Sequence, residues 1–202
     1  RQGGEASPKG PREADALTLA FGGLDLSTTR RRSAACIIRG DLAYFSNPLT
    51  DDEILEALRS ARVVAVDAPL TGPPAKGHRA VDRLMIRMGF PVLPASWPSM
   101  RALTERATRI AGLLRALGVV VVETHPTSAL RSSGCRSALE LAGRASVRVE
   151  AKRLTDDEAA ALVAAIVAMS YYSGRALLIR DVDGEVALLG PLCGRRGPGA
   201  QT

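Results

Sequence analysis

Three times along the chain an apolar run ends in a carboxylate: Leu17 to Asp25, Arg62 to Asp67 and Gly118 to Glu123. The second and third runs are short, β-branched and apolar on both faces, which predicts central strands buried between two layers. Around the first run, Leu17–Leu26, Ser33–Ile38 and Leu42–Ser46 read as strands with Arg39-Gly40-Asp41 as a turn, an antiparallel meander. Thr50 and Glu53 stand at capping-box spacing ahead of Ile54, Leu55 and Leu58, so a short helix follows the meander. The strand Arg62–Val66 ends at Asp67 and is closed by Pro69.

Leu70 to Pro98 is the most irregular segment, with a Gly72-Pro73-Pro74 turn, a helix from about His78 to Met88, and a loop holding Pro91, Pro94 and Pro98. A helix over Ser99–Leu117 is expected to turn Leu103, Ile110, Leu113, Leu114 and Leu117 inward and to stop at Gly118, with strand Val119–Glu123 directly after it. Weaker helical patterns cover Thr127–Arg131 and Ser137–Ala142. Thr155 and Glu158 form a second capping box before a helix over Ala159–Tyr172, and Ala176–Ile179 and Glu185–Leu189 make a closing hairpin about Asp183-Gly184. Residues 1–15 and 193–202 lack apolar periodicity and read as a disordered lead-in and a flexible tail to one domain spanning 16–192.

An ionised carboxylate at the end of a core strand is costly unless a cation, a proton or hydrogen-bond donors offset its desolvation. Three such acids suggest one shared partner, and a hard divalent metal ion is the simplest. Composition narrows the setting. At 202 residues the chain can bury a full core without staples. Cys36, Cys135 and Cys193 are an odd number, widely spaced and without a CxxC pair, which argues against a disulfide framework or a zinc site and fits a reducing, cytoplasmic setting. No long apolar run predicts a membrane span or a signal-peptide core. The net charge of +6, carried almost wholly by arginine, favours contacts to phosphate or carboxylate and gives a mild expectation of nucleic acid as partner.

The order of elements is that of ribonuclease H-like folds, and four motifs sharpen it. Gly23-Leu-Asp25-Leu-Ser27, Val64-Ala-Val-Asp67-Ala-Pro69-Leu70, Arg79-Ala-Val-Asp82-Arg83 with Gly89, and Glu123-Thr-His125-Pro126 closely resemble the motifs of the DUF429 family of predicted ribonuclease H-like nucleases, over about Leu17 to Leu189. The resemblance implies an α/β, three-layer fold: a mixed central sheet, with strands 1–3 antiparallel and strands 4–5 parallel, flanked by helices. It also implies two divalent cations, Mg²⁺ or Mn²⁺, beside a scissile phosphate of DNA or RNA, where metal ions activate water and stabilise the leaving oxygen.

By the same resemblance Asp25 bridges the metals, Asp67 ligates one, and Glu123 is a further ligand or supports one. The family commonly has an Asp where this chain has Ala160, a departure. Asp156 and Asp157 lie one turn earlier, so either is a candidate replacement, with Asp157 favoured; acids in a first helical turn also simply complement the helix dipole. Arg79 and Asp82 are candidates for substrate contact or for a solvated helix face. His125 is expected to share the strand face of Glu123, within reach of a phosphate, or to be a structural histidine. Arg30, with Arg31 and Arg32, either holds phosphates or forms a charged hairpin, and Trp97 either stacks on a base or packs. Two other classes remain. One is a binding module that kept the fold and lost catalysis. The other is an actin-like or sugar-kinase phosphotransferase, suggested by Gly23 to Thr29 but short of the second phosphate loop and the second domain that such enzymes use.

Overall fold

The computed structural model describes residues 19–28, 31–72 and 76–194. The expected lead-in 1–15 lies outside them, as does Arg30. Strands β1 (Ala20–Asp25), β2 (Ala34–Arg39) and β3 (Leu42–Ser46) form the expected meander, with Gly40 at φ +59° in the turn. Helix α1 (Asp51–Leu58) opens on the Thr50–Glu53 capping box. Then come β4 (Val63–Asp67), α2 (Ala80–Arg87), α3 (Pro98–Ala116), β5 (Val120–Thr124), α4 (Pro126–Ser133), α5 (Ala138–Arg144), α6 (Asp156–Tyr172), β6 (Ala176–Asp181) and β7 (Gly184–Leu189).

All seven strands join one sheet in the order β3-β2-β1-β4-β5-β7-β6. β1, β4, β5 and β7 run parallel, while β2 and β3 on one side and β6 at the other edge are antiparallel to their neighbours. This is the expected mixed-sheet, three-layer α/β architecture, extended by the terminal hairpin. Two apolar cores lie on its two faces. One joins the sheet to α1 and α3 through Ile54, Leu58, Ile110 and Leu114; the other joins it to α4, α5 and α6 through Ala129, Leu141, Leu162 and Ile166. Among the described residues no helix is long and apolar enough to cross a membrane.

α6 is the central helix. Its residues Ala161 to Ala168 are all buried, so it is apolar all round, as a helix enclosed by other elements must be. Its alanines let it lie against the sheet at unusually short range. A Cβ on Gly23 of β1 would stand 2.0 Å from the carbonyl oxygen of Ala161 and 2.2 Å from the amide nitrogen of Ala165. Glycine at position 23 is therefore a packing requirement, not a turn signal.

Several details differ from the sequence expectation. On α3, Leu113 and Leu117 are 44% and 57% exposed, and the inward places are taken by Thr104, Arg106, Ala107, Ile110, Ala111 and Leu114. Arg106 explains the rotation: its guanidinium is buried between Asp51 (Nε to Oδ1 2.8 Å) and the carbonyl of Ser27 (2.7 Å), which ties α3 to α1 and to the loop after β1. The cysteines also differ. Cys135 and Cys193 form a disulfide, and only Cys36 remains free. The expected tail thus begins with an anchored residue, because the amides of Leu192 and Cys193 both donate to the carbonyl of Ser133 at 2.9 Å. A spacing rule misses this pair because the two cysteines are 58 residues apart and meet only after α4 to β7 have packed.

Gly23→Ala is expected to lower stability by roughly 3–5 kcal/mol or to prevent folding, since the methyl group meets helix backbone that has no free space to move into. Urea denaturation followed by circular dichroism measures this, and a loss under 1 kcal/mol would refute the close approach.

Candidate active site

Parallel register brings the first two strand-end acids together. Asp25 of β1 is level with Asp67 of β4, as Gly23 is with Ala65, so both carboxylates project from the same sheet face at the carboxyl ends of adjacent strands. Among the described residues neither has a hydrogen-bond donor or a cation as partner. Burial, then the charge of Asp157, raises the pKa of Asp25 from 3.8 to about 6. Burial, then the charges of Asp25 and Glu123, raises Asp67 from 3.8 to about 8. Both therefore lack the stabilisation that a buried carboxylate normally finds.

The contact between α6 and β1 also places Asp157. Two residues of strand from Gly23 to Asp25 advance about 6.6 Å, close to the rise of about 6 Å over the four helical residues that lead from Ala161 back to Asp157. Asp157 is thus near enough to raise the Asp25 pKa, whereas Asp156 exerts no such effect. Both belong to the first turn of α6, whose N-cap is Thr155 with Glu158 completing the capping box.

Glu123 does not join this group as a free acid. β5 ends one residue later than expected, so Thr124 is level with Asp67, and Glu123 is level with Val66. By strand alternation its side chain leaves the sheet on the opposite face. There Arg79 engages it through both Nη1 (2.9 Å) and Nη2, and the amide of Leu70 donates to it at 2.8 Å. Arg79 also binds Asp82 (Nη2 to Oδ1 2.7 Å) and Thr71 (2.9 Å). Arg79, Asp82 and Glu123 are each at most 6% exposed. Burial pushes the pKa of Glu123 up and Arg79 opposes that push.

The expected roles therefore change. Arg79 and Asp82 do not form a solvated face: both are buried, their charges are paired with each other and with Glu123, and both line one cavity with Asp25 and Asp67. A residue that sequence patterning missed completes this support. Asp183, in the β6–β7 turn, accepts the amides of Ala80 (2.5 Å) and Val81 (3.0 Å), capping α2 from across the fold. Its desolvation is outweighed by these donors, which hold its pKa below the usual range.

His125 lies beyond the end of β5 and serves as the N-cap of α4, with Pro126 at the first helical position. Its Nδ1 accepts the Ser128 amide at 3.3 Å and lies 2.7 Å from Ser128 Oγ. Burial lowers its pKa, so the ring is neutral, and an accepting Nδ1 assigns the proton to Nε2.

Asp25, Asp67, Arg79, Asp82, Glu123 and His125 border one cavity of about 210 Å³, whereas Asp157 and Asp183 do not line it. Its polar lining is Asp25, Asp67, Asp82, Glu123, Thr124 and His125, and Arg79 is its only cation among the described residues. The rest of the lining is apolar and includes, from the irregular segment and the start of α3, Met85, Val92, Leu93, Met100 and Leu103. Trp97 caps the start of α3, is 49% exposed, and does not line the cavity.

Among the described residues no three His, Cys, Asp or Glu side chains are grouped as a ready-made metal cage. A pair of carboxylates nevertheless fits Mg²⁺, which is commonly held by one or two carboxylates and completed by water and substrate phosphate oxygens.

No family model matches the chain, and no curated protein matches it. Solved structures that align with it include RuvC of Thermus thermophilus, at 16% identity and a TM-score of 0.48, covering 77% of this chain and 97% of that one. Another is T. thermophilus RuvC in complex with a Holliday junction substrate, at 15% identity and a TM-score of 0.45, covering 77% of this chain and 96% of that one. No residue of this chain takes a role from them.

Two substitutions separate the acids that hold the fold from those that strain it. Arg79→Ala leaves Asp82 and Glu123 buried without their cation and is expected to cost about 3–5 kcal/mol. Asp67→Asn acts oppositely. Because the folded-state pKa values of Asp25 and Asp67 exceed 3.8, the folded chain keeps protons that the unfolded chain releases, so their contribution to stability falls as pH rises from about 4 through 6 to 8. The Asn variant escapes that loss: without divalent metal its Tm should exceed the parent's at pH 8, with the difference fading by pH 5. Thermal melts at both pH values check this, and a lower Tm at pH 8 would show that Asp67 is already compensated.

Proposed function

We propose that the chain is a divalent-metal-dependent nuclease whose centre is the Asp25–Asp67 pair. The observation that carries this reading is a pair of register-matched carboxylates lining one cavity, both with raised pKa values and neither with a partner among the described residues. Mg²⁺ or Mn²⁺ bound there supplies positive charge against a phosphodiester and makes water a better nucleophile at neutral pH. Asp157, whose charge acts on Asp25 from the first turn of α6, is the candidate for the acid absent at Ala160, as a supporting charge and not as part of a three-ligand cage. Glu123 is a positioning residue. Through Arg79 and the Leu70 amide it fixes the chain leaving β4, directly beyond Asp67.

The charge of the cavity argues in the same direction. Its walls present four carboxylates and one guanidinium, and that guanidinium is already engaged. A polyanionic substrate is repelled from such a surface unless cations intervene, so binding and cleavage should both depend on metal. The net charge of +6 favours a nucleic acid over a neutral ester.

Purified protein with Mn²⁺ or Mg²⁺ is expected to cut DNA or RNA, and Asp25→Asn and Asp67→Asn should each reduce the rate at least a hundredfold. Cleavage surviving in both variants would sink the assignment. The absence of a three-ligand cage favours one second reading, a nucleic-acid-binding module without catalysis. It predicts metal-dependent retention of oligonucleotides in a gel-shift assay and no cut across paired, single-stranded and hybrid substrates.

A further inference from the structure

The apolar wall of the cavity has no task in hydrolysing a phosphodiester. Met85, Val92, Leu93, Met100 and Leu103 face the same space as Asp25 and Asp67, and neither a metal ion nor a phosphate gains from contact with thioether and aliphatic groups. Resting on the nuclease reading, we propose that this wall seats one unstacked nucleobase of the strand being cut, so that the substrate is a nucleic acid with an unpaired nucleotide at the point of cleavage.

The argument starts from what an apolar surface can recognise in a nucleic acid. Phosphates and sugars are polar throughout, and the faces of the bases are the apolar part of a nucleotide. The space is suited to one ring system: about 210 Å³ lies below the usual range for sites that enclose drug-sized ligands. Its position matters equally. The carboxylates lie in the same concavity as the wall, so a phosphate brought to Asp25 and Asp67 brings its own nucleoside in with it. A base still stacked and paired in a duplex cannot follow, and it must leave the stack or be unpaired from the start.

The wall is built beforehand. Gly77 donates to Ser96 Oγ (2.8 Å), Ser96 donates back to the Gly77 carbonyl (3.2 Å), and His78 Nε2 lies 3.2 Å from the Val92 carbonyl. These contacts pin the loop between α2 and α3 to the segment before α2. Leu93, 58% exposed, stands as the outer part of the seat. On the polar side, His125 retains an Nε2–H that has no partner among the described residues and is available to a base edge or a phosphate oxygen.

The test compares three end-labelled DNA substrates in Mn²⁺: a continuous duplex, the same duplex with one bulged nucleotide, and that bulge made abasic. The bulged substrate should be cut at least tenfold faster than the duplex, next to the bulge, and the abasic one should fall back toward the duplex rate. Leu93→Ala and Met100→Ala should each shrink the ratio of bulged to duplex rates at least threefold. Equal rates on duplex and bulge, or a preference that survives both the abasic change and both substitutions, would overturn the base seat while leaving the nuclease reading in place. Failure to cut all three substrates would overturn the nuclease reading instead. The seat is then read by 2-aminopurine at the bulged position, with protein and Mg²⁺. A fluorescence change that both substitutions reduce supports it, and an unchanged signal overturns it.

Discussion

The direct contact between the backbone of α6 and Gly23 of β1 sets the position of nearly everything else. A helix normally stands off a sheet by the thickness of its side chains, but here Ala161, Ala164 and Ala165 meet a glycine, and no side chain intervenes. That short approach fixes the height of α6 along β1. It thereby decides that the first turn of the helix, rather than its second, ends beside Asp25. A longer side chain at position 23 would move the helix outward and take Asp157 with it. The fold and the site thus share one constraint, and a sequence change made for packing would be felt in the electrostatics of the acids.

The cavity contains two populations of carboxylate with opposite energetic roles. Asp82 and Glu123 are buried, and a bidentate cation and backbone amides compensate them, so they hold α2, the Leu70 segment and β5 together. Asp25 and Asp67 are half-buried by surface exposure and have no such partners among the described residues, so they oppose folding at neutral pH. Selection for stability alone favours removing the second pair, for example as Asn. Its presence side by side in register is what a chain that binds a cation there would retain. Asp183 and the hairpin turn extend the first population to the edge of the sheet, because α2 takes its N-terminal cap from that turn.

Much of this was legible in the sequence, for identifiable reasons. Binary patterning found all seven strands, because the parallel strands are continuous β-branched runs and the hairpins carry Gly40 and Asp183-Gly184. The capping boxes at Thr50 and Thr155 located two helix starts. What patterning missed depended on events across the chain. The end of β5 is shifted by a single residue, and that shift moves Glu123 to the other face and into the arms of Arg79. Arg106 was hidden because a buried arginine on a helix is indistinguishable in sequence from an exposed one. The Cys135–Cys193 link and the Asp183 cap join residues more than fifty positions apart, where no local rule applies.

The irregular segment from Leu70 to Pro98 shows the limit most clearly, and the reason lies in its physics. Its prolines and glycines mark where regular elements stop, but they carry no periodic signal of what the chain faces. In the folded protein the segment does two separate jobs. Arg79 and Asp82 turn toward Glu123 and secure the interior, while Met85, Val92 and Leu93 supply apolar lining to the cavity that Asp25 and Asp67 also line. Helix α2 carries Asp82 and Met85 one turn apart, and the irregular chain after it adds Val92 and Leu93, whose side chains need not alternate as in a strand or return every turn as in a helix. A site with acids on rigid strand ends and apolar lining on two helices and the pinned loop between them divides the labour accordingly. The sheet fixes where charge is concentrated, and the loop sets which part of a bound molecule can lie beside it.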